Sequence, residues 1–352
     1  MNKSNNLNPH ILEEDLVFLS KYSNTIWKEL NNKKIFITGG SGFFGRNFIS
    51  ALYYMEKLFD YNFSVTCITR DKKKFLEKLN FYPTKNNYAI IEGNLSKLNI
   101  IKNKYDILIH LADHVSQDLH HRKNDLLLKN SKENIHNIIK FIKNCSIKNF
   151  IYLSSGAVYE KNIYEKKFLE NTKLITNIND EYYYYARRKM QSEEIIKNEL
   201  SNHDINYYIF RGFTFAGPYL ELNRRYAITE FFKNCLNEKD IYIQNNILSK
   251  RSYLYSYEMV IWCLQLIFKN SKSRCFNLGS SIEITLDNLA YSIKDITNSK
   301  INIITNNKSN VSSYYVPDNS LYLNHSGLSQ NILFEDILYR YYKWIRKSIL
   351  NK

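Results

Sequence analysis

The sequence has few cysteines, and their arrangement excludes a disulfide scaffold and a cysteine-ligated metal site. The five residues show neither the short spacing of metal ligands nor a paired framework; they are Cys67, Cys145, Cys235, Cys263 and Cys275. Three of them, Cys67, Cys145 and Cys263, lie in apolar surroundings and are predicted to be small core residues. Thiols of this kind suit a reducing compartment, so we expect a cytoplasmic protein without a bound metal.

Long apolar runs are also missing. The longest, residues 259–268, is too short to cross a bilayer and is interrupted by Gln265. No segment of the sequence resembles a secretory signal peptide. We therefore expect no membrane partner.

Clusters of one charge sign are scarce, although the formal net charge is +15. The basic residues are scattered, and tight runs such as residues 72–74 are short. Because a nucleic-acid surface needs a basic patch or stripe, we expect no nucleic-acid partner. The positive charge is compatible with an anionic substrate. With 352 residues and 44% hydrophobic composition, the chain can form one large α/β domain and a smaller lobe.

The strongest motif is the segment KIFITGGSGFFG at residues 34–45. A short apolar run precedes a glycine cluster, and an amphipathic segment, 46–59, follows, which predicts a strand, a tight turn and a helix. Gly39, Gly42 and Gly45 are three residues apart. Glycines at this spacing let the backbone approach a pyrophosphate, which the helix N-terminal amides then face. The motif predicts a dinucleotide site; the alternative is an ordinary glycine-rich turn.

Alternating segments predict a doubly wound parallel α/β sheet. Strands are expected at residues 63–69, 88–92, 105–112 and 149–153, and helices at 123–145 and 181–200. The run at 105–112 is nearly all apolar, as in a strand covered on both faces. Residues 1–32 precede the first strand and are predicted to form a helical extension that packs on the main domain.

The end of the second strand bears on the choice of cofactor. An acid there selects NAD, whereas an arginine accommodates the 2′-phosphate of NADP. Thr69 stands at the expected position of the acid, and Arg70 follows it. The sequence therefore favours NADP over NAD, although Arg70 could simply be a solvated residue. Asn94, after the third strand, could bond the adenine edge.

A serine, a tyrosine and a lysine form a candidate catalytic set. The fifth strand ends at Ser154 and Ser155. Tyr185 and Lys189 follow in a predicted helix at i and i+4, which places them on one face. A tyrosine-rich helix surface is the alternative explanation. The position of the pair, downstream of a phosphate loop and a Ser-Ser strand end, favours catalysis.

These motifs together resemble the extended short-chain dehydrogenases/reductases of the nucleotide-sugar epimerase/dehydratase family. The resemblance runs from about residue 33 to the end of the chain. The matching segments, in order, are TGGSGFFG, HLAD at 110–113, SSGAVY, YARRK, RGFTFAGP at 211–218, RSYLYSYEM at 251–259 and CFNLGSS at 275–281. Asn130 in N-x-x-E-N stands at the place of the family's helix asparagine.

The resemblance implies a Rossmann fold with a smaller C-terminal substrate lobe. The cofactor-binding domain would comprise residues 33–212, with 250–275 returning to it. The substrate lobe would comprise 213–249 and 276–352, with the loop at 217–226 closing over the nucleotide. A homodimer is expected through helices 123–145 and 181–200, since the first has more apolar residues than one sheet-facing side needs: Leu126, Leu127, Ile135, Ile138, Ile139 and Ile142.

The resemblance also implies the roles of single residues. The expected catalytic residues are Ser155, Tyr185, Lys189 and Asn130. The expected cofactor-binding residues are Gly39, Ser41, Gly42, Phe43, Phe44, Gly45, Arg70, Asn94, Leu95, Leu111, Ala112, Tyr185 and Lys189. The expected substrate-binding residues are Asp113, Ser155, Gly156, Thr214 and Arg251, the last as a ligand of the substrate pyrophosphate.

The chain departs from the family pattern at the positions that bear most on the reaction. Gly156 and Ala157 replace the Asp-Glu pair of sugar 4,6-dehydratases, Thr214 replaces an asparagine, and Asp113 replaces a small residue. Without the acid pair, loss of the 6-hydroxyl has no obvious proton carriers, although Asp113 or Glu160 could supply a carboxylate. We therefore expect an NAD(P)-dependent epimerase acting at C4 of a nucleotide-linked hexose.

Three alternatives remain open at this point. An NADPH-dependent 4-ketosugar reductase would need the same residues, and a 4,6-dehydratase would need another acid. A non-catalytic dinucleotide sensor could share the fold. The complete set of Ser155, Tyr185 and Lys189 argues against a sensor, because a sensor has no need of it.

Overall fold

The computed structural model describes residues 11–83, 86–112, 125–160, 166–176, 183–243, 249–269, 274–305 and 313–350. Its centre is a seven-stranded sheet in the order β11-β6-β5-β4-β1-β2-β3. The strands are β1 Lys34–Thr38, β2 Ser64–Thr69, β3 Tyr88–Glu92, β4 Ile107–His110, β5 Asn149–Ser155, β6 Asn206–Gly212 and β11 Arg274–Leu278. All neighbours in this sheet are parallel. The predicted doubly wound sheet is confirmed.

Helices cover both faces of the sheet because successive strand residues point to opposite sides. The main helices of this domain are α3 Phe43–Phe59, α4 Lys72–Lys78, α5 Asp125–Asn144, α6 Tyr184–Leu200 and α8 Ser256–Gln265, with a 3₁₀ helix at Leu95–Ile100. Ile35 and Ile37 of β1 pack in the apolar cluster that contains α3 and α8. Phe36, between them, packs in the cluster that contains α5 and α6.

The sheet has one topological switch point, where the chain order reverses between β1 and β4. The connections that follow β1 and β4 lead to opposite sides of the sheet. A crevice therefore opens at the carboxyl ends of these two strands, where α/β folds bind their ligands. The glycine-rich turn after β1 and the segment after β4 both lie at this edge. The register Thr38↔His110 pairs the last residues of the two strands.

The N-terminal segment is helical and well packed. It contains α1 Glu13–Ser20, a π-helical turn at Ser23–Trp27 and α2 Lys28–Leu30. The fully buried Trp27 donates from Nε1 to the Leu19 carbonyl over 2.8 Å. Asp15 is fully buried and accepts hydrogen bonds from Tyr255 and Arg340. Burial raises the pKa of Asp15 to about 6, and the Arg340 charge opposes that rise.

Short strands and four further helices complete the described part of the chain. The strands are β7 Phe215–Ala216, β8 Ile241–Ile243, β9 Lys250–Arg251, β10 Leu254–Tyr255, β12 Ile284–Thr285, β13 Ile303–Thr305 and β14 Tyr314–Tyr315. The helices are α7 Ala227–Leu236, α9 Leu286–Thr297, α10 Ser320–Ser326 and α11 Phe334–Leu350. β9 lies between β12 and β14, and this places Tyr315 beside Arg251. β11 reaches Leu278, so the large sheet includes three residues that the sequence assigned to the lobe.

Side chains of the main domain hold the first half of loop 217–226. Asn47 donates to the Pro218 carbonyl over 3.1 Å, and Arg46 donates to the Tyr219 carbonyl over 2.9 Å. Tyr341 of α11 donates to the next carbonyl, that of Leu220, over 2.8 Å. The second half is held as well, because Thr229 of the following helix donates to the carbonyls of Arg224 and Tyr226 over 2.6 and 2.8 Å.

The apolar residues of α5 are already covered within one chain. Ile135, Ile138, Ile139 and Ile142 are each at most 2% exposed and pack against the sheet. Leu127 is half-buried, and the side chain of Leu126 lies outside the described residues. The isoleucines thus do not require a partner subunit, because the sheet and α6 bury them. None of the helices in the described ranges is long and apolar enough to cross a membrane.

Candidate active site

The glycine-rich turn has the geometry of a phosphate-binding loop. Gly39 has a φ of +73°, and a Cβ there would lie 2.6 Å from the Ala112 amide nitrogen. A Cβ on Gly45 would lie 2.4 Å from the Gly39 carbonyl oxygen. Only glycine fits both positions. The turn therefore directs the N-terminus of α3, which begins at Phe43 after Gly42, into the crevice.

A cavity of about 710 Å³ occupies this crevice. Among the predicted cofactor residues, Gly39, Ser41, Gly42, Arg70, Asn94, Leu95, Leu111, Ala112 and Lys189 line it. Phe43, Phe44, Gly45 and Tyr185 are not among its lining residues. The rings of Phe43 and Phe44 pack on each other at 5.0 Å, and Phe44 packs on Phe215 at 5.2 Å. These two phenylalanines hold the start of α3 rather than facing the cavity.

One end of the cavity is basic. The exposed Arg70 lines it together with Lys74 and Lys78, both from α4. Lys74 Nζ is 3.4 Å from Asp71, whose side chain also caps α4. Asn94 lies across the cavity, and its Oδ1 accepts from the Ser96 amide over 3.2 Å. This end can receive an anionic group on an adenosine.

A buried threonine and histidine fix the floor of the cavity at the switch point. Thr38 Oγ1 is 2.6 Å from His110 Nδ1. The same hydroxyl accepts from the Ala112 amide over 3.3 Å. His110 stacks on Tyr152 with ring centroids 5.7 Å apart. These contacts join the carboxyl ends of β1, β4 and β5, and they position Ala112 against the glycine turn.

Tyr185 and Lys189 lie at the opposite end, in the first two turns of α6. Lys189 is 6% exposed, and its Nζ donates to the Leu153 carbonyl over 2.7 Å. Nζ is 6.0 Å from the centroid of the Tyr185 ring and 5.0 Å from that of Tyr152. Arg188 brings a second cation, with its guanidinium carbon 5.7 Å from the Tyr185 centroid. Nearby positive charge favours the phenolate form of a tyrosine.

Ser155 ends β5 beside this pair. It is 8% exposed, and its Oγ accepts from the Ala157 amide over 3.2 Å. Tyr315 of β14 lies close by, because its hydroxyl oxygen is 2.8 Å from the position that a Cβ on the next residue, Gly156, would take. The structure thus brings Ser155, Tyr185 and Lys189 to one site, and it adds a second tyrosine from the smaller lobe.

Gly156 has no room for a larger side chain. A Cβ there would lie 2.8 Å from Phe213 Cζ and 2.8 Å from the Tyr315 hydroxyl oxygen. The Phe213 and Tyr315 rings pack at 4.7 Å. The place of the dehydratase aspartate is therefore filled by two aromatic residues of this chain.

Of the four remaining predicted residues, one lines the cavity, two lie elsewhere and one is outside the described residues. Asn130 is half-buried in α5 and lines the cavity with Lys189. Arg251 donates to the carbonyls of Lys250 and Ser313 over 2.8 and 2.9 Å, so the backbone of β9 and β14 engages its guanidinium. Thr214 is half-buried, and its carbonyl accepts from the Leu254 amide. Asp113 lies outside the described residues.

Glu160, the other acid that could replace the dehydratase pair, is engaged elsewhere. Its carboxylate is 2.8 Å from Lys173 Nζ, and Thr176 also donates to it. The hydrogen bond from Lys173 lowers the pKa of Glu160. A carboxylate held ionised by a surface lysine is a poor acid for a leaving hydroxyl.

The comparison with family models identifies the family to which the chain belongs. The family model described as the NAD dependent epimerase/dehydratase family matches residues 35–279, more than half of the chain. The chain belongs to this family. The family predicted from the sequence, and with it the expectation of a nicotinamide-dependent enzyme, is confirmed, whereas the preference for NADP stays a prediction.

Relatives within the epimerase/dehydratase family differ in activity. A dTDP-D-glucose 4,6-dehydratase of Dictyostelium discoideum is 25% identical over 287 residues, which cover 76% of this chain and 64% of that protein. A dTDP-4-dehydro-6-deoxyglucose reductase of Escherichia coli is 27% identical over 282 residues, covering 76% and 82%. These names support the family but do not single out one reaction.

The fold is shared with solved epimerases. A UDP-N-acetylglucosamine 4-epimerase from Methanobrevibacter ruminantium, solved with UDP-N-acetylmuramic acid, superposes with a TM-score of 0.77 at 23% identity. The superposition covers 90% of this chain and 99% of that one. At this identity the likeness establishes the fold of the family member, not its substrate.

Sequence reasoning missed several residues of the site. His110 was within a quoted motif, and its pairing with Thr38 could have been inferred because both end neighbouring strands. Lys74 and Lys78 follow the second strand at helical spacing, which is a usable signal for a basic cavity edge. Tyr315 gave no signal, because it comes from the smaller lobe, far along the chain from Ser155.

Proposed function

We propose that this protein is an NAD(P)-dependent epimerase that inverts C4 of a nucleotide-linked hexose by transient oxidation. The observation that carries the proposal is the crowding at Gly156. Ser155, Tyr185 and Lys189 supply what oxidation and reduction at an alcohol carbon require. Among the described residues, the position beside Ser155 has no ionisable group that could expel the 6-hydroxyl.

The cavity fits a nicotinamide dinucleotide. Gly39 and Gly45 form a cradle that any Cβ would fill, and the N-terminus of α3 opens onto it. Its amides would hold the pyrophosphate, Arg70 and Asn94 would meet the adenosine, and Lys189 would hold the nicotinamide ribose. A nicotinamide bound there supplies an acceptor and donor for the hydride at C4.

The chain's own residues move the proton and hold the sugar. A free tyrosine has a pKa of about 10, so Tyr185 needs the positive charge of Lys189 to act as a base near neutral pH. As a phenolate it takes the proton of the C4 hydroxyl when the C4 hydride leaves, and it returns that proton when the ketone is reduced. Ser155 donates a hydrogen bond to the same oxygen. Asn130 orders a water that relays the proton.

A 4-ketosugar reductase is the second candidate, and the basic end of the cavity favours it. Arg70, Lys74 and Lys78 offer cations to a 2′-phosphate. Thr69 stands at the end of β2 where an acid would bond the free ribose hydroxyls of NAD, and the nearby Asp71 caps α4 instead. A preference for NADP would fit a reductive enzyme that uses an external supply of NADPH.

The substrate residues of the lobe are part of the same proposal. Thr214 and Arg251 would contact the nucleotide diphosphate, which requires that Arg251 exchange a carbonyl partner for phosphate oxygens. Asp113 would lie near the sugar. The pairing of two copies through α5 and α6 and a cytoplasmic location, which suits five unpaired cysteines, complete the proposal.

Product mass separates the candidate reactions in one assay. The purified protein is incubated with UDP-, GDP-, CDP- and dTDP-hexoses, with NAD or NADPH, and products are followed by mass spectrometry. An isobaric product supports the epimerase, and a ketosugar consumed only with NADPH supports the reductase. A product lighter by one water, formed without added reductant, would overturn both in favour of dehydration.

A further inference from the structure

A row of buried polar residues crosses three neighbouring strands one residue before the catalytic serine. The strand register pairs Ser154 of β5 with Arg211 of β6, and it pairs Arg211 with Asn277 of β11. All three side chains are at most 4% exposed. They come from three of the motifs found in the sequence, yet none of them has a role in the proposed reaction.

Glu193 joins this row from α6, the helix that covers this face of the sheet. The Ser154 hydroxyl donates to its Oε1 over 2.6 Å. Arg211 donates to the same carboxylate from Nε over 3.1 and 3.2 Å and from Nη2 over 2.7 Å. Glu193 is 2% exposed and lies on the same stripe of α6 as the apolar Ile196 and Leu200. Packing alone would accept an apolar side chain there, so a buried ion pair indicates another role.

Two side chains of α6 thus hold consecutive residues of β5. Lys189 Nζ donates to the Leu153 carbonyl over 2.7 Å, and Glu193, one helical turn later, accepts from Ser154. Ser155 follows directly in the chain. Because hydrogen bonds depend on distance and direction, whereas apolar contacts tolerate small shifts, these two contacts fix how α6 lies along β5.

We propose that Ser154 and Glu193 are positioning residues, whose hydrogen bond fixes the register of α6 on β5 and so holds Tyr185 and Lys189 in place relative to Ser155. The inference rests on the proposed function for its reaction. Proton transfer requires the exchanging groups to lie within hydrogen-bond reach of the substrate oxygen. A displacement of about 1 Å between such groups can lower the rate by about 10²-fold.

The same network holds the chain that follows Ser155. Arg211 donates from Nη1 to the Tyr159 hydroxyl over 3.0 Å, and Tyr159 donates to Asn277 Oδ1 over 2.6 Å. A single 3₁₀ turn separates Tyr159 from Ser155. The chain on both sides of Ser155 is therefore tied to one buried ion pair.

Kinetics of Ser154→Ala test the proposal. The variant removes one hydroxyl and leaves Glu193 paired with Arg211. We expect kcat to fall about 10-fold, with KM and cofactor affinity within about twofold, because the groups that bind are kept and only their alignment is loosened. The acidic limb of the pH profile of kcat should move to higher pH, since a Lys189 held less firmly lowers the pKa of Tyr185 less.

A second variant and a matched control accompany it. Tyr159→Phe breaks the network at another point and should change kcat and the acidic limb in the same directions. Ser326→Ala is the control, because its buried hydroxyl accepts from the Leu328 amide over 3.1 Å at the end of α10, outside the proposed site. It should lose stability to urea as Ser154→Ala does, but keep the kcat and pH profile of the wild type.

Several results would overturn the proposal. Wild-type kcat in Ser154→Ala would do so, as would a lower kcat with an unmoved acidic limb or an equal loss of kcat in Ser326→Ala. If the wild type converts no nucleotide sugar, the proposed function fails, and amide hydrogen exchange decides the inference. The first two turns of α6 should then exchange faster in Ser154→Ala than in the wild type or Ser326→Ala. Equal exchange in all three proteins would refute the positioning role.

Discussion

Two tyrosines meet near the carboxyl end of β5, and their neighbours differ. Tyr185 has Lys189 and Arg188 beside its ring. Tyr315 has Phe213 and Phe168 beside its ring instead. Cations favour a phenolate, and burial among rings favours the neutral phenol. At the scale of single residues, this contrast makes Tyr185, not Tyr315, the candidate for proton transfer.

Tyr185→Phe should lower turnover by about 10²–10⁴-fold, the usual loss for a general acid/base. The fold and dinucleotide binding should remain, because the ring is kept. Steady-state kinetics and cofactor titration measure the two effects. Tyr183→Phe is a matched control from the same tyrosine run, with Arg187 rather than a lysine four residues on. Wild-type-like turnover of Tyr185→Phe would refute the mechanism.

Gly156→Ala should destabilise the protein by about 1–3 kcal/mol, because the added methyl group meets Phe213 and Tyr315 in a packed core. Urea unfolding followed by circular dichroism measures the change. Gly93→Ala is the control: its methyl group meets only the Lys97 side chain, which is flexible and can move away. Equal stability of the two variants would show that the space at Gly156 is not filled as described.

At the scale of elements, the sequence predicted most of the large sheet. The glycine loop, the apolar strands and the helical spacing are local signals, and β2, β3 and β5 begin within one residue of expectation. The sequence did not predict which elements of the smaller lobe reach the site. β9 and β14 are two residues long, too short for a periodicity, and their pairing is the context in which Tyr315 lies against Gly156.

Arg70, at the end of β2, leads to a prediction about the preference for NADP over NAD. Arg70→Asp should weaken NADP binding by about tenfold or more, because it replaces a cation near the 2′-phosphate with a repelling charge. NAD binding should change little and serves as the internal control. Fluorescence titration with both reduced cofactors measures the ratio. A protein that binds NAD and ignores NADP before any substitution would show that Arg70 is only a solvated residue.

The buried Asp15 of α1 leads to a prediction about how the stability of the fold depends on pH. Asp15 has its pKa raised to about 6 in the folded state, above the ordinary value of 3.8. The folded protein therefore holds this proton more tightly, and Asp15 contributes stability below about pH 4 that is lost as the pH rises through 6. Asp15→Asn cannot ionise, so its stability relative to wild type should rise across this window, by at most about 3 kcal/mol.

Urea unfolding of both proteins at several pH values between 4 and 7 measures this difference. Glu258→Gln is an informative companion, since burial raises the pKa of Glu258 to about 7 and its window extends higher. A difference between wild type and Asp15→Asn that does not vary with pH would contradict the prediction.

At the scale of the whole molecule, the pairing of subunits depends on the exposed face of α5. The isoleucines of α5 that suggested a dimer are buried in the chain itself. Among the described side chains of α5, the exposed ones are polar: Lys129, Lys132, Glu133, His136, Lys140, Lys143 and Asn144. A contact through this face would consist mainly of charges, so its strength should depend on salt.

Light scattering at micromolar concentration tests the assembly. Two copies of this lysine-rich face repel each other, so a dimer through α5 and α6 should tighten when ionic strength rises from about 0.05 M to about 0.5 M, because the Debye length shrinks to a few ångström. Lys140→Glu should tighten the dimer at low salt, whereas Lys239→Glu, on the substrate lobe, should not. A monomer at both ionic strengths would refute the dimer.

The crowding at Gly156 constrains how an aspartate could arise at this position within the family. An aspartate here first needs space, which Phe213 or Tyr315 must release. A lineage that gains or loses this aspartate must therefore change an aromatic residue first, or lose stability on the way. The order of substitutions in such a history is thus set by packing, and reconstructed ancestors with aspartate at 156 should have smaller residues at 213 or 315.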